Sequence, residues 1–577
     1  MVSISKLTTD VDVSEYYDKY VDIEKFLEIC KECDQYGNNW GCPPFDFDPN
    51  EIWNSFNKLK IIAFKFDFSQ EELNQTYAPN ELDFIIKRLE RMKVKLMNEI
   101  YALENEDSLG LFMGNCNLCM RCTKTIGMPC KMPFKLRYSI ESLGGDVDKT
   151  VEDTFKMKKF IQDKNPKRVV IIGGGFIGME MLENLLNLGL EVTLIEGSNQ
   201  LLGQLDGDMA SFVHVKLKNL GIRFFLNTVV SKFEDTGKGL NVFVDNQMIL
   251  QTDIVLMTIG VVPETSFIKN TSITLGIKGS IVVNEKMETS IEDIYAVGDA
   301  VEVNNFVTNE RGLILLAGPA NKQARIAADN ICGLNSRYQG FQSSSILKLF
   351  DWTIASTGIS EKQAKKLNIN YEKVILSPNS NASYYPYGDI MTIKVLYNKN
   401  NLHILGAQII GTKGVDKRID VFATAMRAQL KATELVNLDL SCAPPYSSAK
   451  DPVNMVGYII ENIEHGLVKQ FHFEELEQIK KNHAVILLDT RTPFEYVRGH
   501  LEGFINIPID ELRQRLGELS PHKTIYVMCQ SGMRSYLACR ILSQNGFHCY
   551  NFSGGYRFYE INQLNQEILK SKVSCER

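Results

Sequence analysis

A glycine-rich turn near residue 175 constrains the fold of this chain more than any other feature of its sequence. The run Arg168-Val-Val-Ile-Ile is rich in β-branched residues and is typical of a strand buried in a parallel sheet. It leads directly into Gly173-Gly174-Gly175-Phe176-Ile177-Gly178, and an amphipathic segment and a second β-branched run that ends at Glu196 come next. This order of strand, glycine turn, helix and acidic strand end predicts a Rossmann-type unit that binds a dinucleotide.

Each position of the turn has a physical role in holding such a ligand. Gly173 permits a tight turn, Gly175 lets the backbone approach a pyrophosphate, and Gly178 allows the helix to pack closely on the strand. The helix N-terminus offers backbone N–H groups to the anion. Glu196 can accept a hydrogen bond from a ribose 2′-hydroxyl and would repel a 2′-phosphate, so the sequence favours NADH over NADPH.

Length and composition limit the classes of protein to which the chain can belong. Its 577 residues are enough for three or four domains that each bury a core. With 44% hydrophobic residues, 23% charged residues and a net charge of −7, the composition is globular and argues against nucleic-acid binding. The sequence has neither an apolar run long enough to cross a membrane nor a secretion signal, so we expect a cytoplasmic protein.

Seven of the thirteen cysteines lie within the first 130 residues, in a part of the chain that has no histidine. The first group has the spacing C-x2-C-x8-C and the second the spacing C-x2-C-x2-C-x7-C; they consist of Cys30, Cys33 and Cys42, and of Cys116, Cys119, Cys122 and Cys130. Without a secretion signal, such groups predict metal ligands more than disulfides or reduced core residues. The second group favours an iron–sulfur cluster, with a four-cysteine zinc site as the main alternative. The first group needs a fourth ligand from elsewhere.

These cysteines also carry a resemblance to a known family. Together with the segment NWGCPPF and the segment from Arg137 to Val147, they resemble a family of uncharacterised predicted metal-binding proteins. The resemblance covers residues 10–148 and implies a Cys-rich α/β metal-binding domain over residues 1–148. It implies no reaction.

From residue 150 to residue 463 the chain resembles the pyridine nucleotide–disulfide oxidoreductases, and among them the coenzyme A-disulfide reductases and NADH-dependent polysulfide reductases. The resemblance rests on the motifs VVIIGGGFIGMEMLENL, TIGVVPET, YAVGDA, LAGPANKQARIAADNI, KLFDWTIASTG, SYYPYG and APPYSSAKDPVNMVGYIIENI. It implies an α/β multidomain protein with an NAD domain over 149–263, part of a flavin domain over 264–335, and an α+β dimerisation domain over 336–465. We therefore expect a homodimer.

The same resemblance implies roles for single residues. Asp299 of YAVGDA would contact the ribityl–phosphate chain of FAD, and Gly260 of the TIG turn would lie near the nicotinamide nucleotide. Tyr385, or its neighbour Tyr384, would assist the redox cysteine of the partner subunit together with Tyr446.

The chain departs from that family at its beginning. Family members open with a glycine-rich FAD loop and a redox cysteine, and neither is present; Gly173–Gly178 is the one G-x-G-x-x-G motif of the sequence. Three hypotheses follow. FAD binds through the remaining half-domain and the N-terminal domain, or a metal centre accepts the electrons, or the reductase body is a degenerate scaffold.

A second candidate group lies near the other end of the sequence. The run TIYVM, typical of a buried strand, enters the loop from Cys529 to Ser535, and a helical segment follows. Loop amides, the helix N-terminus and Arg534 would stabilise an anionic sulfur, which predicts a reactive thiol at Cys529. Residues 466–577 resemble a rhodanese domain, and this implies that Cys529 carries a persulfide. The alternative is an inert rhodanese-like domain.

Two functions fit these observations. The first is an NADH-dependent oxidoreductase acting on a small sulfur compound (CoA-disulfide, polysulfide or persulfide), with Cys529 carrying sulfane sulfur and FAD or a metal centre passing electrons. The second is a sulfurtransferase or metal/sulfur carrier on a degenerate reductase scaffold. The complete NAD motif favours the reductase, whereas the missing flavin loop favours the carrier.

Overall fold

The computed structural model describes residues 3–33, 36–38, 42–67, 164–244 and 248–570, and the single residues 102, 104, 109, 111, 124 and 130. The chain divides into an N-terminal unit, Met1–Asn165, and a C-terminal unit, Pro166–Arg577. Within the described ranges, no helix is long and apolar enough to cross a membrane.

The N-terminal unit contains a two-stranded antiparallel ribbon. Its elements are β1 (Ser3–Asp12), α1 (Val13–Tyr20), α2 (Ile23–Lys31), α3 (Pro49–Asn54) and β2 (Lys58–Asp67), with β1 paired to β2. Tyr16 and Trp53 are buried together, and their stacked ring centroids are 5.5 Å apart. The carboxylate of Asp22 caps α2 by accepting from the Lys25 N–H at 3.0 Å. This cap fixes the start of the helix whose last turn carries Cys30.

The C-terminal unit begins with a parallel sheet in the order β5-β4-β3-β9. Its elements in chain order are β3 (Arg168–Ile172), α4 (Phe176–Asn187), β4 (Glu191–Ile195), α5 (Gly207–Asn219), β5 (Arg223–Phe225), β6 (Val230–Asp235), β7 (Leu240–Val244), β8 (Met248–Thr252) and β9 (Ile254–Met257). Strands β6, β7 and β8 form a separate antiparallel sheet. The last four residues of β3 are buried, as the β-branched run predicts, and the glycine turn joins β3 to α4.

A small three-stranded sheet follows, made of β10 (Ile281–Val282), β11 (Val301–Asn304) and β12 (Arg311–Gly312), with α6 (Ala317–Ile331) after it. Its buried core includes Ile281, Met287, Val301 and Val303. This is the region in which the sequence predicts part of a flavin domain.

The next part is a five-stranded antiparallel sheet in the order β13-β14-β17-β16-β15. Its elements are β13 (Ser345–Leu349), β14 (Trp352–Gly358), α7 (Glu361–Lys366), β15 (Tyr371–Leu376), β16 (Thr392–Asn398), β17 (Ile404–Gly411), α8 (Val415–Arg427) and α9 (Pro452–Glu464). Helices α8 and α9 pack on the sheet through one apolar core that contains Ile409, Phe422 and Val456.

The last part is a five-stranded parallel sheet in the order β18-β22-β21-β19-β20. Its elements are β18 (Gln470–Phe471), α10 (Leu476–Lys480), β19 (Val485–Asp489), α11 (Pro493–Arg498), β20 (Ile505–Asn506), α12 (Ile509–Leu512), β21 (Thr524–Met528), α13 (Met533–Gln544), β22 (Cys549–Phe552) and α14 (Gly555–Lys570). The α/β multidomain class predicted from the sequence is confirmed.

A buried ammonium group joins the start of α5 to the five-stranded antiparallel sheet. Lys394 of β16 is fully buried, and its Nζ lies 3.0 Å from Asp206, 2.7 Å from Asp208 and 2.8 Å from Glu361. Burial alone would lower the pKa of Lys394, but the three carboxylates outweigh burial and raise that pKa above its ordinary value. The ammonium therefore stays charged, and the three acidic side chains are held around it.

Helix α14 lies against α5 through a buried polar contact. His214 Nε2 accepts from the Leu201 N–H at 3.0 Å, so its Nδ1 is the protonated nitrogen and donates to Asn565 Oδ1 at 2.8 Å. Asn565 Nδ2 donates to Ser211 Oγ at 2.9 Å, and Ser211 Oγ lies 3.0 Å from Asn562 Oδ1. Burial lowers the pKa of His214 to about 4 and keeps the ring neutral.

Candidate nucleotide and sulfur sites

The turn after β3 has the geometry that its glycines predict. Gly173 has φ +107°, and a Cβ there would lie 2.5 Å from the carbonyl oxygen of Thr258. A Cβ at Gly178 would lie 2.0 Å from the carbonyl oxygen of Gly173, so any side chain would force α4 away from the sheet. A Cβ at Gly175 would have no atom within 4 Å. The backbone at Gly175 therefore presents an open surface that a pyrophosphate can approach.

Glu196 follows β4 and lies beside this turn. Its Oε2 accepts from the Gly174 N–H at 2.7 Å, and its Oε1 accepts from the Ser198 N–H at 2.8 Å. The carboxylate is only partly buried, so a ribose hydroxyl can reach it. The open backbone at Gly175 and this carboxylate together fit the pyrophosphate and ribose of a dinucleotide.

Glu196→Gln is expected to weaken NADH binding about tenfold and to reduce the preference for NADH over NADPH. A hydrogen bond to a charged acceptor contributes about 1.5–3 kcal/mol, against about 1 kcal/mol for a neutral one. Removal of the charge also removes the repulsion of a 2′-phosphate. Calorimetric titration with each nucleotide measures both effects, with Glu191→Gln at the exposed start of β4 as the matched control. An unchanged ratio of the two dissociation constants would show that Glu196 does not set the preference.

The segment after β9 exposes large apolar side chains at the same edge of the sheet. Gly260 has φ +103°, and a Cβ there would have open space around it. The exposed apolar residues of this segment are Met257, Ile259, Val261, Val262 and Phe267. Several exposed large apolar side chains in one segment are typical of a place where another group binds.

Asp299 lies in a tight turn of the region that the sequence predicts to be part of a flavin domain. Gly298 has φ +86°, and its N–H donates to the buried Gln323 Oε1 at 2.8 Å, which fixes the turn and leaves the Asp299 side chain exposed. This arrangement fits one contact to a ribityl–phosphate chain. The sequence has no second G-x-G-x-x-G motif, so the residues present fit only that part of FAD.

The two predicted tyrosine segments lie next to each other. The Ala382 N–H donates to the carbonyl oxygen of Pro444 at 3.2 Å, which joins the SYYPYG and APPYS segments. Tyr446 and Tyr384 are largely exposed, and Tyr385 is 39% exposed. The structure thus brings together the two segments that carry Tyr385 and Tyr446, which are 61 positions apart in the sequence.

Sequence reasoning missed the buried guanidinium that holds these segments. Arg418 of α8 donates to the carbonyl oxygens of Ser380 and Tyr446 and pairs with Asp451 at 2.9 Å. The apolar pattern of α8 predicts a buried face, but nothing in the sequence indicates that this arginine occupies it.

The first cysteine group lies at the end of α2. The Cys33 N–H donates to the carbonyl oxygen of Cys30 at 3.0 Å, so the two cysteines share one turn. The Gly37 N–H donates to the carbonyl oxygen of Pro43 at 2.8 Å, which returns the chain beside Cys42. Cys42 is buried.

The second cysteine group is only partly covered by the structure. Cys130 is described, whereas Cys116, Cys119 and Cys122 lie outside the described residues. Among the residues that are described, no three His, Cys, Asp or Glu side chains form a group that could hold a metal ion. The choice between an iron–sulfur cluster and zinc stays a prediction.

Cys529 lies at the end of β21 in a loop that surrounds its sulfur with donors. The residue is fully buried, and its Sγ accepts from the Gly532 N–H at 3.1 Å and from the Ser535 hydroxyl at 3.2 Å. Helix α13 begins at Met533, so its N-terminus also faces the loop. These donors stabilise an anionic sulfur at this position.

Arg534 does not act on that sulfur as an isolated charge. Its guanidinium binds Glu495 of α11 at 2.6 and 2.7 Å in a bidentate pair. The hydrogen bond from Arg534 lowers the pKa of Glu495 to about 2, so the carboxylate is ionised. Sequence reasoning missed Glu495; the T-x-x-E spacing from Thr492 predicts a capping box, which is present, but not this second contact.

A second arginine holds the Cys529 loop from the other side. Arg491 is buried against Asp489, and one of its nitrogens lies 2.7 Å from Asp489 Oδ2. It also donates to Gln530 Oε1 at 3.3 Å and lies 3.9 Å from the centre of the Tyr556 ring. The loop is therefore fixed by contacts on both sides of the cysteine.

Comparisons with known proteins match the central part of the chain to one family. Residues 133–324 match the pyridine nucleotide-disulphide oxidoreductase family, and residues 344–452 match its dimerisation domain. The chain is 35% identical over 323 residues to the coenzyme A disulfide reductase of Staphylococcus haemolyticus (strain JCSC1435), a match that covers 55% of this chain and 72% of that protein. The chain belongs to the pyridine nucleotide-disulphide oxidoreductase family.

This family member carries two further regions, as the sequence predicts. Residues 17–175 match the family described as predicted metal-binding protein (DUF2284), and residues 472–561 match the rhodanese-like domain. The first of these matches overlaps the oxidoreductase match over residues 133–175.

Two solved structures are similar to most of this chain. Reduced CoADR-RHD from Bacillus anthracis is 46% identical, with a TM-score of 0.69, and the match covers 71% of this chain and 73% of that one. The NAD-dependent persulfide reductase from A. fulgidus is 35% identical, with a TM-score of 0.65, and the match covers 71% and 74% of the two chains.

Proposed function

We propose that this chain is an NADH-dependent oxidoreductase of small sulfur compounds, a CoA-disulfide, polysulfide or persulfide, in which Cys529 carries sulfane sulfur. The observation that carries the proposal is the pair of donors on Cys529 Sγ, at 3.1 and 3.2 Å, in the same unit as the glycine turn. The coenzyme A disulfide reductase and the persulfide reductase among the similar proteins support the same class of substrate.

The sulfur chemistry at Cys529 needs no other nucleophile. The thiolate attacks the outer sulfur of a donor R–S–SH, forms Cys529–S–SH and releases R–S⁻. Two electrons and two protons then convert Cys529–S–SH into Cys529–SH and H₂S, and NADH with one proton supplies them in the balanced reaction. The donors at Gly532 and Ser535 stabilise the thiolate both before transfer and after reduction.

The assembly and cofactors of this enzyme belong to the same proposal. We place a homodimer contact in residues 336–465, a contact to FAD at Asp299, and an iron–sulfur cluster or zinc in residues 1–148. The family resemblance gives the exposed Tyr385 and Tyr446 a role toward the partner subunit, at the position of the redox cysteine that this chain lacks. The enzyme would act in the cytoplasm, without nucleic acid or membrane.

Anaerobic spectroscopy of the full chain tests the reductase. We expect NADH absorbance at 340 nm to fall only after polysulfide is added, with one H₂S released per NADH consumed. The visible spectrum before and after NADH identifies the carrier: flavin bands that bleach indicate FAD, and a broad brown absorption that changes indicates a cluster. No NADH consumption with any sulfur compound would contradict the proposal.

A sulfurtransferase or metal/sulfur carrier is the second candidate. Two observations favour it. The sequence keeps only one half of a flavin domain, and the apolar segment after β9 is exposed. This candidate requires loading and unloading of sulfur at Cys529 without consumption of NADH.

A further inference from the structure

Helix α14 begins at the Cys529 loop and continues well past it. The Tyr556 N–H donates to the carbonyl oxygen of Cys529 at 2.8 Å, and the Arg557 N–H donates to that of Gln530 at 3.0 Å. The helix extends beyond residue 561, where the match to the rhodanese-like domain ends. With a rise of about 1.5 Å per residue, Asn565 lies about 13 Å along the helix axis from Tyr556. The second half of α14 thus contacts a different part of the chain.

A directed series of buried hydrogen bonds runs from that second half to the loop after β4. Asn565 Nδ2 donates to Ser211 Oγ at 2.9 Å, which turns Asn565 Oδ1 toward His214. Oδ1 accepts from His214 Nδ1 at 2.8 Å, so this nitrogen carries the proton of the neutral ring. His214 Nε2 is left as the acceptor and binds the Leu201 N–H at 3.0 Å.

Leu201 and Leu202 pack directly on the glycine turn. The Leu202 N–H donates to the carbonyl oxygen of Gly174 at 2.8 Å, and a Cβ at Gly174 would lie 2.3 Å from Leu201 Cδ2. Leu202 has φ +49°, an unfavourable conformation for a leucine that persists where the surroundings hold it. The bond from the Leu201 N–H to His214, one residue earlier, is such a contact.

Gly174 lies between the two features of the turn that fit a dinucleotide. Its N–H donates to Glu196 Oε2 at 2.7 Å, and Gly175, with its open surroundings, follows it directly. A shift of Gly174 would therefore displace both the carboxylate that fits the ribose and the backbone that fits the pyrophosphate. Such a displacement weakens binding even though each of these groups is still present.

We propose that His214 and Asn565 are positioning residues for NADH, so that helix α14 forms part of the nucleotide site by acting through α5. The inference rests on the proposed binding of NADH at the glycine turn. Asn565 keeps the proton on Nδ1, His214 presents Nε2 to the Leu201 N–H, and the backbone from Leu201 to Leu202 holds Gly174 in place.

Calorimetric titration of the full chain with NADH tests the role of Asn565. Asn565→Leu leaves the buried Nδ1–H of His214 without its acceptor, and a turn of the ring that satisfies this group moves Nε2 away from the Leu201 N–H. We expect the dissociation constant for NADH to rise about fivefold, the effect of one lost hydrogen bond. Loading of Cys529 with polysulfide, measured by intact-protein mass spectrometry, should stay within twofold, because the bonds at the start of α14 are unchanged.

Asn562→Leu is the matched control on the same helix. Ser211 Oγ lies 3.0 Å from Asn562 Oδ1 and also 2.8 Å from a backbone carbonyl oxygen of α5, so its hydroxyl keeps an acceptor in this variant. The series of bonds to His214 is retained, and the dissociation constant for NADH should stay within twofold of wild type. Phe212 and Phe558, both buried with ring centroids 6.0 Å apart, hold α5 against α14 in both leucine variants.

Two substitutions of His214 separate its two hydrogen bonds. His214→Gln places an amide oxygen near the position of Nε2 and keeps an acceptor for the Leu201 N–H. His214→Asn reaches the position of Nδ1 and keeps the contact with Asn565, but it loses that acceptor. We expect the dissociation constant for NADH to stay within about threefold of wild type in the glutamine variant and to rise about tenfold in the asparagine variant. A role in packing alone predicts equal effects.

The outcomes separate this inference from the proposed function. Equal dissociation constants in wild type, Asn565→Leu and His214→Asn would overturn the positioning role while NADH binding stands. Equal increases in Asn565→Leu and Asn562→Leu, or in the two His214 variants, would overturn it as well, because they would indicate a general loosening of the contact between α5 and α14. If NADH did not bind the wild-type chain, the proposed function itself would fail.

Discussion

Cys529→Ser is expected to lower sulfane-sulfur-dependent NADH oxidation by about a thousandfold or more, because the substitution removes the atom that we propose as the sulfur carrier. The residue is fully buried, and a serine hydroxyl occupies almost the same volume. The donors at Gly532 and Ser535 can bind its oxygen as they bind the sulfur. The effect should therefore be chemical, with the thermal unfolding midpoint close to that of the wild-type chain.

The matched control is Cys332→Ser, which changes an exposed thiol in the same unit. We expect its rate of NADH oxidation to stay within twofold of wild type. Both rates are measured anaerobically at 340 nm with polysulfide. Full activity in Cys529→Ser would remove the rhodanese-like domain from the reductase mechanism.

Lys394→Met is expected to lower the free energy of unfolding by about 3–5 kcal/mol, the range for removal of one partner from a buried ion pair. The substitution keeps most of the buried volume but leaves Asp206, Asp208 and Glu361 without the ammonium that holds them. Their mutual repulsion would act between α5 and the five-stranded antiparallel sheet. Urea unfolding followed by circular dichroism measures the loss.

Lys365→Met provides the control, because Lys365 binds the same acidic residue from the surface. Its Nζ lies 2.8 Å from Glu361 Oε1, and its side chain is 64% exposed. An exposed pair of this kind contributes less than about 1 kcal/mol. Equal losses in the two variants would show that burial of Lys394 does not set the strength of the contact.

The sequence alone predicts the parts of the sites that are local in the chain. The turn from Gly173 to Gly178 and the acidic end at Glu196 lie within 24 residues; Gly173 and Gly178 meet the steric limits that their positions imply, and Gly175 is open as its role requires. Cys529 is predictable for the same reason, since strand, loop and helix follow one another directly. In both cases the periodicity of the flanking residues predicts a strand and a helix, and these two elements determine where the loop between them lies.

Contacts between distant segments could not be predicted in this way. Arg534 and Glu495 are 39 positions apart, and the sequence gives no sign that they meet. The prediction that Arg534 adds positive charge to the loop therefore omits the carboxylate that compensates it. The same holds for Arg418, because the burial of a guanidinium depends on acceptors supplied by other segments.

The contact between α5 and α14 has a consequence for how the chain is made. Ser211 and Asn562 are 351 positions apart, yet each satisfies the other in a buried setting. Until those residues have been synthesised, Ser211 and His214 of α5 lack their contacts with α14, so this region cannot reach its final packing. The rhodanese-like segment thus completes the packing of a domain that is translated before it. A gene that lost this segment would lose Cys529 and would also deprive α5 of its buried polar partners.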